Sequence, residues 1–173
     1  MEGIVSVVGA VDAAGNKLAT QTLVDRGLVP SVAVPAGWGA MRDEICLGLN
    51  NYTLNLRQFN AYLFGYRAPV SDYVCANFGL GTGTNAPNVT DVALESPINF
   101  YNNGPLAPIN YIDFPEPFVA RVSFTIGIND ANGFLITEYG LFSGNGVLLA
   151  RKTSAGLNKD SSWSPTLLWR VRF

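Results

Sequence analysis

The stretch that decides the fold lies in the last third of the chain, where residues 121–152 read RVSFTIGINDANGFLITEYGLFSGNGVLLARK. Its first eight residues alternate apolar and polar side chains, a period of two that predicts a strand with one buried face. Asn129-Asp-Ala-Asn-Gly133 and Ser143-Gly-Asn-Gly146 are rich in turn-forming residues, and the second run predicts a tight hairpin. This stretch therefore predicts antiparallel strands joined by short turns.

The last strand, Thr166–Phe173, repeats the pattern more clearly. Leu167, Trp169, Val171 and Phe173 share one face, and polar residues dominate the opposite face. Turn signals recur about every ten residues, which is typical of an antiparallel β-sandwich or barrel. We expect one all-β domain over residues 1–173, a length within the range of a single domain.

The first half of the chain gives weaker signals. Two apolar stretches flank the turn-like run Asp12-Ala-Ala-Gly-Asn16, and Pro30 and Pro35 then interrupt the pattern. We expect residues 1–40 to form a strand, a turn and an irregular segment. Apolar residues recur at three- to four-residue spacing in 53–66, which fits one short helix or a pair of strands.

The run Gly79-Leu-Gly-Thr-Gly-Thr84 follows a predicted strand at 73–78. A phosphate-binding loop needs a Lys and a Ser or Thr directly after its last glycine, and a dinucleotide fingerprint needs a different glycine spacing. Neither pattern is present. We interpret this run as a turn or bulge between strands.

Residues 97–117 contain five of the ten prolines of the chain. Proline lacks the backbone donor, so neither a helix nor a central strand fits this segment. Its aromatic and aliphatic side chains make it too apolar for a solvated linker. We therefore predict a long proline-rich extended arm that packs either on its own sheet or on a neighbouring subunit. The candidate inter-subunit contacts are Tyr101, Pro105, Pro108, Tyr111, Phe114, Pro115, Pro117 and, in a predicted loop, Trp163.

The composition restricts the classes of function. Charged residues make up 14% of the chain, against roughly 25% in an average soluble domain, which favours a surface partly covered by partners. The chain has no histidine, which removes the most usual general base and all histidine metal sites. We predict no catalytic residue, no cofactor and no metal site, and hence no enzyme.

The distribution of charge and of apolar residues also bears on partners. The 11 basic residues are scattered, so we expect no nucleic-acid binding. The sequence has no run of 18 apolar residues and no layout of a signal peptide, so we expect no membrane association.

Three acidic and two cysteine residues are possible sites. Asp91 and Glu95 have no evident partner in the sequence, and we expect them to cap turns or face solvent. Glu138 lies between apolar strand residues and must pair if it faces inward, with Arg121, Arg151 or Arg170 as partner. Cys46 and Cys75 fit two free buried thiols, or a disulfide if the fold brings them together.

Two segments resemble a known group of proteins. The first is Phe78-Gly-Leu-Gly-Thr-Gly-Thr84 with Pro87, Asp91, Ala93-Leu-Glu95 and Ile98. The second is Leu135-Ile-Thr-Glu-Tyr-Gly-Leu-Phe142, followed by Gly146, Leu148-Leu-Ala-Arg-Lys152, Lys159, Leu167 and Trp169-Arg-Val-Arg-Phe173. Together they resemble small virion structural proteins of tailed bacteriophages and the N-terminal domains of tail-collar and tail-fibre proteins.

The resemblance implies a β-rich module of the virion that assembles with copies of itself and with other virion proteins. Fibre proteins continue into a long shaft, whereas this sequence stops at Phe173, so we expect an accessory tail, collar or fibre-attachment protein. The alternative is a decoration protein on the exterior of the head. A further alternative is a carbohydrate-binding module that recognises host-surface glycans through loop aromatics such as Trp163 and Tyr101.

Overall fold

The computed structural model describes residues 2–30, 45–52, 74–117 and 119–172, which form nine strands and one short helix. The elements are β1 (Glu2–Asp12), α1 (Thr20–Asp25), β2 (Ile45–Tyr52), β3 (Cys75–Gly81), β4 (Leu106–Pro108), β5 (Tyr111–Glu116), β6 (Val119–Thr125), β7 (Phe134–Ser143), β8 (Leu148–Lys159) and β9 (Trp163–Arg172). The prediction of an all-β fold is confirmed.

The strands form two antiparallel sheets in the order β4-β3-β7-β8-β2-β1-β9-β6-β5. The first sheet contains β1, β9, β6 and β5, and the second contains β8, β7, β3 and β4. Strand β2 belongs to both, because residues 45–50 pair with β1 whereas Asn51 and Tyr52 pair with β8. The two sheets are therefore joined on one side by a strand that passes from one to the other.

A single core fills the space between the sheets. Phe78 of β3 stacks on Phe124 of β6, with 4.5 Å between the ring centroids, which places the two sheets face to face. Leu167, Trp169 and Val171 point into this core, as the alternation of the last strand predicts. Of the two architectures expected from the sequence, sandwich or barrel, the structure is consistent with the β-sandwich.

The segment 97–117 closes the opposite side of the sandwich. Strands β4 and β5 are joined by two residues, of which Ile109 donates its N–H to Ala76 of the second sheet and Asn110 donates to Ser123 of the first. The predicted extended arm is not shown, because this segment supplies an edge strand to each sheet. An edge strand needs backbone donors on one side alone, so it tolerates the prolines that a central strand excludes.

The N-terminal strand and turn are confirmed by β1 and by the turn at Asp12–Asn16, whereas the short helix α1 was not predicted from the sequence. Strand β1 lies between β2 and β9. Ile4 and Val5 are both fully buried although they point to opposite faces, so the strand shows no alternation in sequence. In the turn, the Asp12 carboxylate accepts hydrogen bonds from the N–H groups of Ala14 and Asn16.

Two other predictions concern the first half of the chain. The segment 53–66, predicted as one short helix or a pair of strands, lies outside the described residues, and Asn51 and Tyr52 just before it belong to β2. Cys75 is a free thiol, so the structure has no Cys46–Cys75 disulfide. Helix α1 has six residues, far short of the roughly 20 that cross a bilayer. The described ranges contain no helix that is long and apolar enough to span a membrane.

Candidate functional site

The loop after β3 folds over the outer face of the second sheet. We call residues 82–97 the strap. Its Leu94 packs with Phe142 and Leu148 in a small apolar cluster separate from the main core. At its two ends, Thr82 donates its N–H to Ser96, and Ile98 just beyond the strap donates to Leu80 of β3. The strap is thus a closed loop that lies on the sheet.

Glu138 of β7 attaches the strap to the sheet. Its side chain is fully buried, and its neighbours Ile136 and Tyr139 belong to the main core. Glu138 Oε1 accepts hydrogen bonds from Glu95 N and Arg151 Nε, both at 2.6 Å. Its Oε2 accepts from Ser96 N at 3.0 Å and from Gly83 N at 3.3 Å. Four donors thus satisfy a buried carboxylate, and three of them are backbone groups of the strap.

Arg151 of β8 completes the network. Its side chain is 4% exposed, and besides Glu138 it contacts two carboxylates of the strap. Nη1 lies 3.0 Å from Asp91 Oδ2, and Nη2 lies 3.3 Å from Glu95 Oε2. Burial by itself lowers the pKa of the Arg151 guanidinium, but the hydrogen bonds to Glu138 and Asp91 outweigh it and hold the pKa above its usual value.

Glycine makes this arrangement sterically possible. A Cβ on Gly83 would lie 2.7 Å from Glu138 Oε2, and a Cβ on Gly81 would lie closer still. Gly79 and Gly140 leave room in the same way for the ring of Phe142. The predicted turn or bulge at 79–84 is therefore only partly right. Its first three residues end β3, and its glycines permit close packing of the strap on the sheet.

Glu138 is buried beneath the strap and does pair, and of the three arginines considered as its partner it binds Arg151. Of the other two arginines considered, Arg121 forms an ion pair with Asp113, and Arg170 donates to the Ser6 hydroxyl.

The prediction for Asp91 and Glu95 is wrong in part. Asp91 does cap a turn, since its carboxylate accepts from Asn88 N, but both carboxylates also pair with Arg151. The partner is 60 and 56 residues away in sequence, so no local pattern points to it.

The predicted inter-subunit contact residues differ in exposure: seven of them are exposed to solvent and Trp163 is buried. Phe114 is 74% exposed, Tyr111 50% and Tyr101 37%, and the four prolines of the set, Pro105, Pro108, Pro115 and Pro117, are exposed as well. Trp163 is fully buried and begins β9, so its prediction as a loop contact is wrong. Its Nε1 donates to the Asn158 carbonyl, which satisfies the indole inside the protein.

A second buried cation, Lys159, was not recognised from the sequence as a structural residue. Its Nζ donates to Asn132 Oδ1 at 2.7 Å, to the Asp160 carbonyl at 2.7 Å and to the Ile128 carbonyl at 3.2 Å. Burial lowers the pKa of this amine, and the nearby Asp160 and Asp130 oppose that effect. Three acceptors match the three donors of an ammonium group, so Lys159 braces the turn before β7.

The network around Arg151 is suited to holding the strap in place rather than to acid–base or nucleophilic chemistry. The carboxylates of Asp91, Glu95 and Glu138 all bind one guanidinium, which cannot lose its proton in a protein. In the described ranges, no three side chains of His, Cys, Asp or Glu are placed to hold a metal ion. A separate groove of about 440 Å³ beside β1 and β9 is lined by small and aliphatic residues, with Lys17 as its one ionisable side chain.

No protein-family model, curated protein or solved structure matches this chain.

Proposed function

We propose that this protein is a non-enzymatic structural component of a tailed-phage virion. One observation carries the proposal: the two sequence segments that resemble virion proteins meet in a single network. Gly81, Gly83 and the strap carboxylates come from the first segment, whereas Glu138 and Arg151 come from the second. Asp91 of the first segment and Arg151 of the second are 60 positions apart in sequence, yet they contact each other in the fold. The two segments therefore belong to one three-dimensional unit, which supports reading the resemblance as a single module.

The surface supports a role in assembly. Phe114 and Tyr111 are among the most exposed large apolar side chains, and both lie on the edge strand β5. Pro115 and Pro117 stiffen the same segment, which lowers the entropy lost when it docks. We propose that this edge contacts copies of the same chain or other virion proteins.

The experiment compares particles made with variant chains. We expect Tyr111→Ser with Phe114→Ser to reduce incorporation into particles, whereas Phe134→Ser, at a site 41% exposed on β7, leaves incorporation unchanged. Mass spectrometry of purified particles measures the copy number of each variant. Absence of the wild-type chain from particles would refute the function, and full incorporation of the double variant would refute the contact surface alone.

We propose a position at the tail, collar or fibre attachment site, following the resemblance. Head decoration is the rival position, and it predicts density on the icosahedral lattice rather than along the tail axis. Electron cryo-microscopy of particles that carry a labelled chain separates the two. Sugar recognition through Trp163 is not favoured, because that side chain is buried.

A further inference from the structure

The strap contributes little to the core of the sandwich. Twelve of its sixteen residues are exposed, and none of them belongs to the main core between the sheets. Leu94 is its one residue in the outer apolar cluster with Phe142 and Leu148. The sandwich therefore keeps its main core whether or not the strap lies in place.

Polar contacts to three sheet residues hold the strap. Glu138 accepts from the N–H groups of Gly83, Glu95 and Ser96, and Arg151 binds the carboxylates of Asp91 and Glu95. Thr137 adds a hydrogen bond from its hydroxyl to the Gly83 carbonyl. These contacts converge on neighbouring positions of β7 and β8, so loss of one side chain weakens several attachments together.

Opening the strap does not leave a charge stranded in an apolar interior. Tyr139 and Leu141 of β7 belong to the main core, so Glu138 points to the opposite, outer face beneath the strap, with Arg151 as its partner. We therefore expect water to reach both charges once the strap lifts away. A buried ion pair whose members can return to solvent loses its contacts but regains hydration. Local opening of this kind is typical of segments with few buried apolar contacts.

We propose that the strap is a latch that opens and closes as one unit while the sandwich stays folded. The Glu138–Arg151 pair holds the strap in the closed state. The open state exposes Phe142 and Leu148 as an apolar patch on the outer face of the second sheet.

Hydrogen exchange on the wild-type chain tests the latch without any substitution. We expect the N–H groups of Gly83, Glu95 and Ser96 to exchange together, with a weaker dependence on added denaturant than those of Phe124 and Trp169 in the core strands. A weak dependence reports opening that exposes little surface. If the strap and core amides share one dependence on denaturant, the strap opens only by global unfolding and the proposal fails.

A substitution tests whether Glu138 holds the strap closed. In Glu138→Gln, we expect protection of the three strap amides to fall at least tenfold, because a neutral amide replaces the carboxylate that accepts their hydrogen bonds. Protection at Phe124 and Trp169 should change less than threefold. Asp113→Asn, which alters the ion pair with Arg121 on the first sheet, is the matched control and should leave the strap unchanged. Equal losses at strap and core, or no loss at the strap, would overturn the role of Glu138.

Discussion

Glu138 and Arg151 lie on neighbouring strands with 2.6 Å between Glu138 Oε1 and Arg151 Nε, and both side chains are almost completely buried. Removing one member of a buried pair typically costs about 3–5 kcal/mol, because the other charge is left without a partner in the interior. Here the strap covers the pair, so its opening gives the remaining charge access to water. We therefore expect that replacing either residue lowers the free energy of unfolding by less than this usual range.

For Arg151→Met we expect the free energy of unfolding to fall by about 1–3 kcal/mol, below the usual range for a buried pair that has no route to solvent. Urea denaturation followed by fluorescence of the buried tryptophans measures it. Asp113→Ala is the control, since its ion pair with Arg121 is 31–40% exposed and should contribute at most about 1 kcal/mol. A loss of 5 kcal/mol for Arg151→Met would mean that the strap cannot open.

The close approach of the strap to β3 predicts a strong effect of a single methyl group. In Gly81→Ala the new Cβ would clash with the Glu138 carboxylate and the Ser96 carbonyl, so we expect the free energy of unfolding to fall by about 1–3 kcal/mol. Gly9→Ala in β1 is the matched control, because a Cβ there meets no atom within 4 Å. Thermal unfolding of the two variants measures the difference, and equal midpoints would contradict the packing described.

The stack of Phe78 on Phe124 predicts where the sheets are held together. We expect Phe124→Ala to lower the free energy of unfolding by about 3–5 kcal/mol, because it removes a fully buried ring and leaves a cavity between the sheets. Phe114→Ala deletes the same ring at a site 74% exposed and should stay within about 0.5 kcal/mol of wild type. Chemical denaturation compares them, and similar losses would mean that Phe114 is covered in the free chain.

The sequence predicts those parts of the fold whose two faces differ in environment. Strand β9 has a core face and a more polar face, so its alternation is visible in the sequence. The same alternation extends back to Trp163, but the polar residues around it suggest a loop. Strand β1 is covered on both faces and gives no such signal. Edge strands β4 and β5 carry prolines, which exclude a central strand but do not indicate the edge on which the segment lies.

The candidate site was predicted only where one residue carries the signal by itself. Glu138 stands out because a carboxylate among apolar strand residues must pair. Asp91 and Glu95 look solvated, because the guanidinium that binds them comes from a distant strand and the fold alone brings it close. The glycines of 79–84 carry a local turn signal, whereas their function is to admit a side chain from β7.

The Cys75 thiol predicts a dependence on pH. Burial raises its pKa to about 12 from a usual value of 9.0. Because the unfolded chain loses this proton at lower pH than the folded chain, the free energy of unfolding should fall as pH rises from about 9 to 12. In Cys46→Ser, which leaves Cys75 as the one thiol of the chain, the folded protein should react with a disulfide reagent at pH 8 at least 100-fold more slowly than the urea-unfolded protein. The folded-state rate should still rise with pH at pH 10, where the unfolded chain has levelled off. A folded-state rate that levels off near pH 9 would show a solvated thiol and would contradict the shielding of the partly buried Cys75 at the start of β3.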